Sequence, residues 1–161
     1  MKYNWIIFLD EEGTGLSPYA KVLMDRKMNE RGIEGIMTLA KGNVVLFSEP
    51  ANQKISEIAR RKGLSLEDYK SRELDGSEFS DDTLILTFNA DVKQQVYDRF
   101  PNAVNVYMLK EFLGEGSEIR LPMGGSIEEY DAVCAMIDRS TDSLIDKLLY
   151  WDDFLEIEYI E

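Results

Sequence analysis

Three carboxylates stand together where an apolar run gives way to a glycine turn. They are Asp10, Glu11 and Glu12, in the stretch Phe8–Pro18, FLDEEGTGLSP. A strand that ends in such a turn and opens a helix is a common anion site, because the first N–H groups of the helix lack partners. This turn carries no Lys, Arg or His to help hold an anion. Three kinds of chemistry are open to it. A carboxylate can attack an electrophile, clustered carboxylates can hold a hard cation, and inward N–H groups can cradle an anion.

The first option has a short motif behind it. Asp10-Glu11-Glu12-Gly13-Thr14 resembles the Asp-x-Asp-Gly-Thr motif of the haloacid dehalogenase superfamily, with Glu12 where that motif has Asp. That resemblance implies magnesium-dependent attack on phosphorus by Asp10, with Thr38 and Asp81-Asp82 in supporting roles. Ser17-Pro18 starts a helix at once, where that superfamily inserts an excursion. The second option meets the positive partial charge of the helix start, which repels a cation. A solvated acidic turn is therefore the expectation for Glu11 and Glu12, with no metal and no other cofactor.

The elements that must position this turn follow from periodicity. Apolar blocks alternate with amphipathic ones, which predicts α/β with a parallel sheet. Strands are expected at Asn4–Leu9, at Ile33–Leu39 with an extension at Val44–Phe47, at Thr83–Phe88 and at Asn105–Met108. The first helix is expected with Ser17 as N-cap and Pro18 as its first residue, ending at Gly32. Helices are also expected at Ala51–Lys62 and Ala90–Phe100. A loop covers Glu115–Gly125. Ser126 is expected to cap a last helix whose stripe is Ile127, Tyr130, Val133, Cys134, Ile137, Leu144, Ile145 and Leu148. Residues 1–151 form one domain in this reading. Residues 152–161 form an acidic tail, expected to pack an aromatic back on its own domain, with an added edge strand or a docking tail as the alternatives.

Composition narrows the function classes. The chain has 161 residues, 44% of them hydrophobic, enough for one domain with a core. Eighteen basic residues against thirty-one acidic ones give a net charge of -13, which argues against nucleic acid and anionic membrane as partners. With one cysteine and no histidine, neither a disulfide framework nor a Cys-based zinc site can form within the chain. No apolar run reaches the ~18 residues of a membrane span, and no signal peptide is visible, so a cytoplasmic setting is expected. Cys134, on an apolar stripe, reads as a buried inert thiol. Arg72 reads as ion-pairing or architectural, and Arg60-Arg61-Lys62 as a solvated helix end.

A second resemblance spans Trp5 to about Leu149. Asp10, five residues, then Leu16-Ser17-Pro18 fall on a Cys-x5-Arg-Ser/Thr-Pro frame. Glu49-Pro50-Ala51, Ser71-Arg72-Glu73-Leu74, Asp82-Thr83-Leu84-Ile85-Leu86-Thr87, Phe100-Pro101 and Leu109-Lys110-Glu111-Phe112 follow in order. Pro122-x-Gly124-Gly125-Ser126-x-Glu128-Glu129-Tyr130 closes the series. In this order and spacing the chain resembles the low-molecular-weight protein tyrosine phosphatases, a family that includes thiol-dependent arsenate reductases.

The resemblance implies a three-layer domain, a four-stranded parallel sheet with helices on both faces. Its cleft lies at the carboxyl ends of the strands, walled by residues 10–17 and 121–125. It also implies a member without the family's catalytic groups. Asp10 stands at the nucleophilic Cys, Leu16 at the phosphate-binding Arg and Leu121 at the general acid. The remnant loop is then Asp10, Glu11, Glu12, Gly13, Thr14, Gly15, Leu16 and Ser17. Tyr19, Pro122 and Met123 would wall the cleft. The expected function is a non-catalytic module that binds a protein partner, with self-association left open. A phosphatase using an altered mechanism is the alternative. Within the loop, the Asp10 carboxylate is expected to turn inward and accept the N–H groups itself.

Overall fold

A computed structural model describes the backbone of residues 2–160 and the side chains of residues 2–150. Four strands form one sheet: β1 (Trp5–Asp10), β2 (Met37–Gly42), β3 (Thr83–Thr87) and β4 (Val106–Met108). Their order is β2-β1-β3-β4 and every pairing is parallel. The helices are α1 (Leu16–Glu30), α2 (Gln53–Arg61), α3 (Ala90–Arg99), α4 (Leu109–Phe112) and α5 (Ile127–Ile160).

The layers follow from strand alternation. Along β1, Ile6 and Phe8 face one side, packing with α1, α2 and α5 through Leu23, Ile55, Cys134 and Ile137. Ile7 and Leu9 face the other side and pack with Leu74 and with Val92 and Val96 of α3. A central parallel strand covered on both faces must be apolar throughout, and WIIFLD meets that demand until Asp10. The chain leaves β1 toward β2 on one side and reaches β3 on the other. This switch point opens a crevice beyond the carboxyl end of β1, where Asp10 stands.

Several boundaries differ from the expected ones, each for a local reason. The N-cap of α1 is Gly15 and the helix starts at Leu16, because Ser17 gives its N–H to Asp10 rather than serving as a cap. β2 starts only at Met37, since the Ile33 N–H closes α1 on the Met28 carbonyl. Residues 44–47 are a loop, not a strand extension; the Val44 and Val45 N–H groups bond Glu11 and Glu73 rather than a neighbouring strand. α4 was not foreseen, because one helical turn shows no period. Ser126 caps α5 as expected: Ser126 Oγ accepts the Glu129 N–H at 3.2 Å and Glu129 Oε1 accepts the Ser126 N–H at 3.2 Å. Residues 152–160 continue α5 instead of adding an edge strand; their side chains lie outside the described residues. No helix among the described residues is long and apolar enough to cross a membrane.

Candidate functional site

The turn after β1 is built around one side chain. Asp10 Oδ1 accepts the Gly13 N–H at 2.5 Å, and Oδ2 accepts the Gly15 N–H at 3.1 Å and the Ser17 N–H at 3.0 Å. The last strand residue thus closes the loop on itself and supplies the anion that the start of α1 lacks. Burial raises the Asp10 pKa, and the N–H groups and the Ser17 hydroxyl work in the opposite direction without overcoming it. The residue keeps partial exposure while its carboxylate is enclosed by the loop. The Ser17 hydroxyl is buried and completes no hydrogen bond; its effect on Asp10 is one of proximity.

Two glycines allow the turn to lie against β2. Gly13 has φ +77°, a left-handed conformation that favours glycine. A Cβ on Gly42 would come within 2.5 Å of the Glu12 carbonyl carbon and 2.7 Å of the Gly13 nitrogen. The loop is further tied by Asn43 N–H to the Asp10 carbonyl at 2.9 Å and by Asn52 N–H to the Thr14 carbonyl at 2.7 Å. From outside, the Tyr69 hydroxyl donates to the Gly13 carbonyl at 2.5 Å. Burial, then the negative charge of Asp10, raises the Tyr69 pKa and keeps it a neutral donor. Neither Gly42 nor Tyr69 was singled out in the sequence. No local motif marks a contact between segments so far apart in the chain.

The remaining candidates sort by where their side chains go. Leu16 is 3% exposed and belongs to the core under α1. Leu121 packs on the same core and lies over Gly15, so that a Cβ there would collide with Leu121 Cδ1. Pro122 is half-buried and Met123 is 81% exposed on the same loop. Lys54 pins that loop, donating to the Gly125 carbonyl at 2.6 Å while lying over the Tyr130 ring. Glu11 and Glu12 are exposed and Thr14 is half-buried. The expectation for Tyr19 is corrected. It does not wall the cleft; it is fully buried, and its hydroxyl accepts from Lys62 at 2.9 Å. Tyr19 lies on the inward face of α1, one turn before Leu23.

The supporting residues that an aspartyl nucleophile would need are elsewhere. Asp81 and Asp82 precede β3 at the amino end of the sheet, where the Asp82 carbonyl accepts the Asn4 and Trp5 N–H groups. The length of β1, roughly 16 Å at strand rise, separates them from Asp10. Thr38 donates to Asp25 instead. Among the described residues no three carboxylate or thiol groups converge as a metal site requires. Cys134 is buried, and burial pushes its thiol up to about 12. Arg72 is exposed, and its carbonyl accepts the Gly42 N–H at 2.9 Å, an architectural role through the backbone. Arg60 and Arg61 pair with Glu57 on the surface of α2.

Comparison with known proteins agrees with this architecture. The model of the low molecular weight phosphotyrosine protein phosphatase family matches residues 5–150. A probable low molecular weight protein-tyrosine-phosphatase, EpsP of Ralstonia nicotianae, is 24% identical over 133 residues, covering 82% of this chain and 87% of that protein. Among solved structures, a low molecular weight protein tyrosine phosphatase from T. tengcongensis superposes with TM-score 0.83 at 21% identity. It covers 89% of this chain and 98% of its own. The YwlE arginine phosphatase from Geobacillus stearothermophilus superposes with TM-score 0.81 at 26% identity, covering 91% and 93%.

Proposed function

Because this chain belongs to the low molecular weight phosphotyrosine protein phosphatase family, we propose that it is a non-catalytic member that works as a binding or regulatory module. The observation that carries this reading is the Asp10 carboxylate, whose two oxygens accept three loop N–H groups. A phosphate brings about two negative charges and would have to displace a carboxylate already seated there. Glu11 and Glu12 add two more negative charges at the rim.

The chemistry that the family frame calls for is missing in three separate places. Asp10 offers no thiolate to attack phosphorus. Leu16, pointing into the core, offers no guanidinium for the equatorial oxygens. Leu121 offers no proton to a leaving group. Losing one such group typically costs ~10²–10⁴ in rate. Cys134 is no substitute, since it sits on the buried face of α5 and is held as the thiol.

Hydrolysis of an aryl phosphate, with and without Mg²⁺, tests the reading on the unaltered chain and on Asp10→Asn. No turnover above buffer is expected in any of the four conditions. Metal-dependent turnover that disappears in Asp10→Asn would overturn it in favour of aspartyl phosphoryl transfer.

A further inference from the structure

The loop of residues 43–49 presents large apolar side chains to solvent beside the acidic turn. Leu46 is 84% exposed and Phe47 78% exposed, with Val44 also exposed. The backbone on either side of Leu46 and Phe47 is tied. The Val44 N–H donates to the Glu11 carbonyl at 3.1 Å and the Val45 N–H to Glu73 Oε1 at 3.0 Å. The Glu49 N–H donates to Ser71 Oγ at 2.9 Å, and the Ser71 N–H returns to the Glu49 carbonyl at 2.8 Å. A fixed loop holding adjacent large apolar groups in water marks a surface that is covered when a partner binds.

Between this loop and the acidic turn runs a groove of about 270 Å³. Leu46 and Phe47 line one part of it, Glu11, Glu12 and Glu49 another, and no basic side chain lines it. We propose that the groove docks a basic and apolar peptide segment of a partner protein. An apolar side chain of that segment packs on Leu46 and Phe47, and an adjacent Lys or Arg sits among the three carboxylates. This rests on the binding-module reading and gives its ligand a charge opposite to that of a phosphorylated side chain. The net charge of -13 steers a cationic segment inward. A second copy of the chain would bring the same acidic rim against this one, a like-charge contact that disfavours self-association.

Fluorescence anisotropy on the full chain tests the proposal, with a fluorescein-labelled peptide of alternating lysine and leucine as the probe. A glutamate-and-leucine peptide serves as its control. The lysine peptide is expected to bind and the glutamate peptide is not. Leu46→Ser with Phe47→Ser should weaken binding at least about ten-fold, the cost of removing an apolar anchor. Glu12→Gln with Glu49→Gln should weaken it comparably and flatten its salt dependence. Asp81→Asn with Asp82→Asn removes equal charge at the far end of the sheet and should change binding by less than about two-fold. All these side chains are exposed, so the variants should keep the native circular dichroism spectrum.

Equal weakening by the Asp81 and Asp82 pair, or indifference to the Leu46 and Phe47 pair, overturns the proposal. So does a concentration-dependent dimer in sedimentation that the Leu46 and Phe47 changes dissolve, since a second copy would then own the surface. Hydrolysis of a phosphotyrosine peptide is followed on the same samples. Turnover there overturns the binding-module reading itself, whereas failed docking without turnover overturns the groove proposal alone.

Discussion

Tyr69 holds Gly13 from outside the acidic turn: its hydroxyl donates to the Gly13 carbonyl at 2.5 Å while the Gly13 N–H donates inward to Asp10. One residue is thus held from two directions, and the two holds differ in strength. Tyr69→Phe removes a neutral hydrogen bond and should cost about 1 kcal/mol. Asp10→Ala leaves three N–H groups without their acceptor and should cost about 2–3 kcal/mol, since water entering the vacated loop can restore part of the loss. Urea denaturation of both variants checks the ranking.

Asp10→Ala carries a second expectation. With the carboxylate gone, the N–H groups of Gly13, Gly15 and Ser17 form an open anion cradle. Millimolar phosphate or sulfate should raise the melting temperature of Asp10→Ala and leave that of the unaltered chain unchanged beyond the general salt effect seen with chloride. An equal phosphate response in both proteins would mean that Asp10 does not fill the cradle.

The pH dependence of stability has a definite sign. The folded pKa of Asp10 lies above its ordinary 3.8 because burial wins. Between 3.8 and the raised value, the folded chain holds a proton that the unfolded chain has released. Stability contributed by Asp10 therefore falls as pH rises through that window and is level above it. The difference in unfolding free energy between the unaltered chain and Asp10→Asn should shrink from pH 4 toward neutrality. A difference that grows with pH would show that the N–H bonds outweigh burial.

Gly15 and Leu121 should be coupled. Gly15→Ala alone drives a methyl group against Leu121 Cδ1, the movable end of a half-buried side chain, and should cost about 1 kcal/mol, the low end for overpacking. Adding Leu121→Ala removes the obstructing atoms, so the double variant should be more stable than the sum of the two single changes predicts. A coupling of about 1 kcal/mol in a double-mutant cycle is expected; strict additivity would place Leu121 away from the loop.

The Cys134 thiol should resist modification. With its pKa pushed up to about 12, the thiolate fraction at pH 8 is on the order of 10⁻⁴. Reaction with an aromatic disulfide reagent should be very slow in buffer and complete within the mixing time in denaturant. Fast reaction in buffer would contradict its place on the buried face of α5.

The fold was legible because parallel strands buried on both faces must be continuous apolar runs, and TLILTF and WIIFL are such runs. The inward turn of Asp10 was also legible, since a helix start without an acceptor beside an acidic residue has few other solutions. Gly42, Lys54 and Tyr69 were not. Gly42 and Tyr69 act on the Asp10 turn and Lys54 on the loop at Gly125, each across a distance in sequence, through a missing Cβ, a hydroxyl or a carbonyl contact that only the folded chain brings near. Tyr19 was misread because adjacency to the turn says nothing about which side of α1 it occupies. The extension at Val44–Phe47 failed for a related reason. Apolar residues suggested a strand, but the backbone partners of Val44 and Val45 are a carbonyl of the turn and the Glu73 side chain.

The strand order has a consequence for synthesis. β1 pairs with β2 on one side and β3 on the other, yet it precedes both in the chain. While a ribosome is making the protein, the WIIFL segment precedes the other strands; β2 can cover one of its edges, but the other stays open until Thr83–Thr87 has followed it out. The Asp10 loop can form early, but the strand it hangs from keeps one open edge until β3 has been made. For this chain the interval between Leu9 and Thr87 is the period of greatest exposure to chaperones and to aggregation.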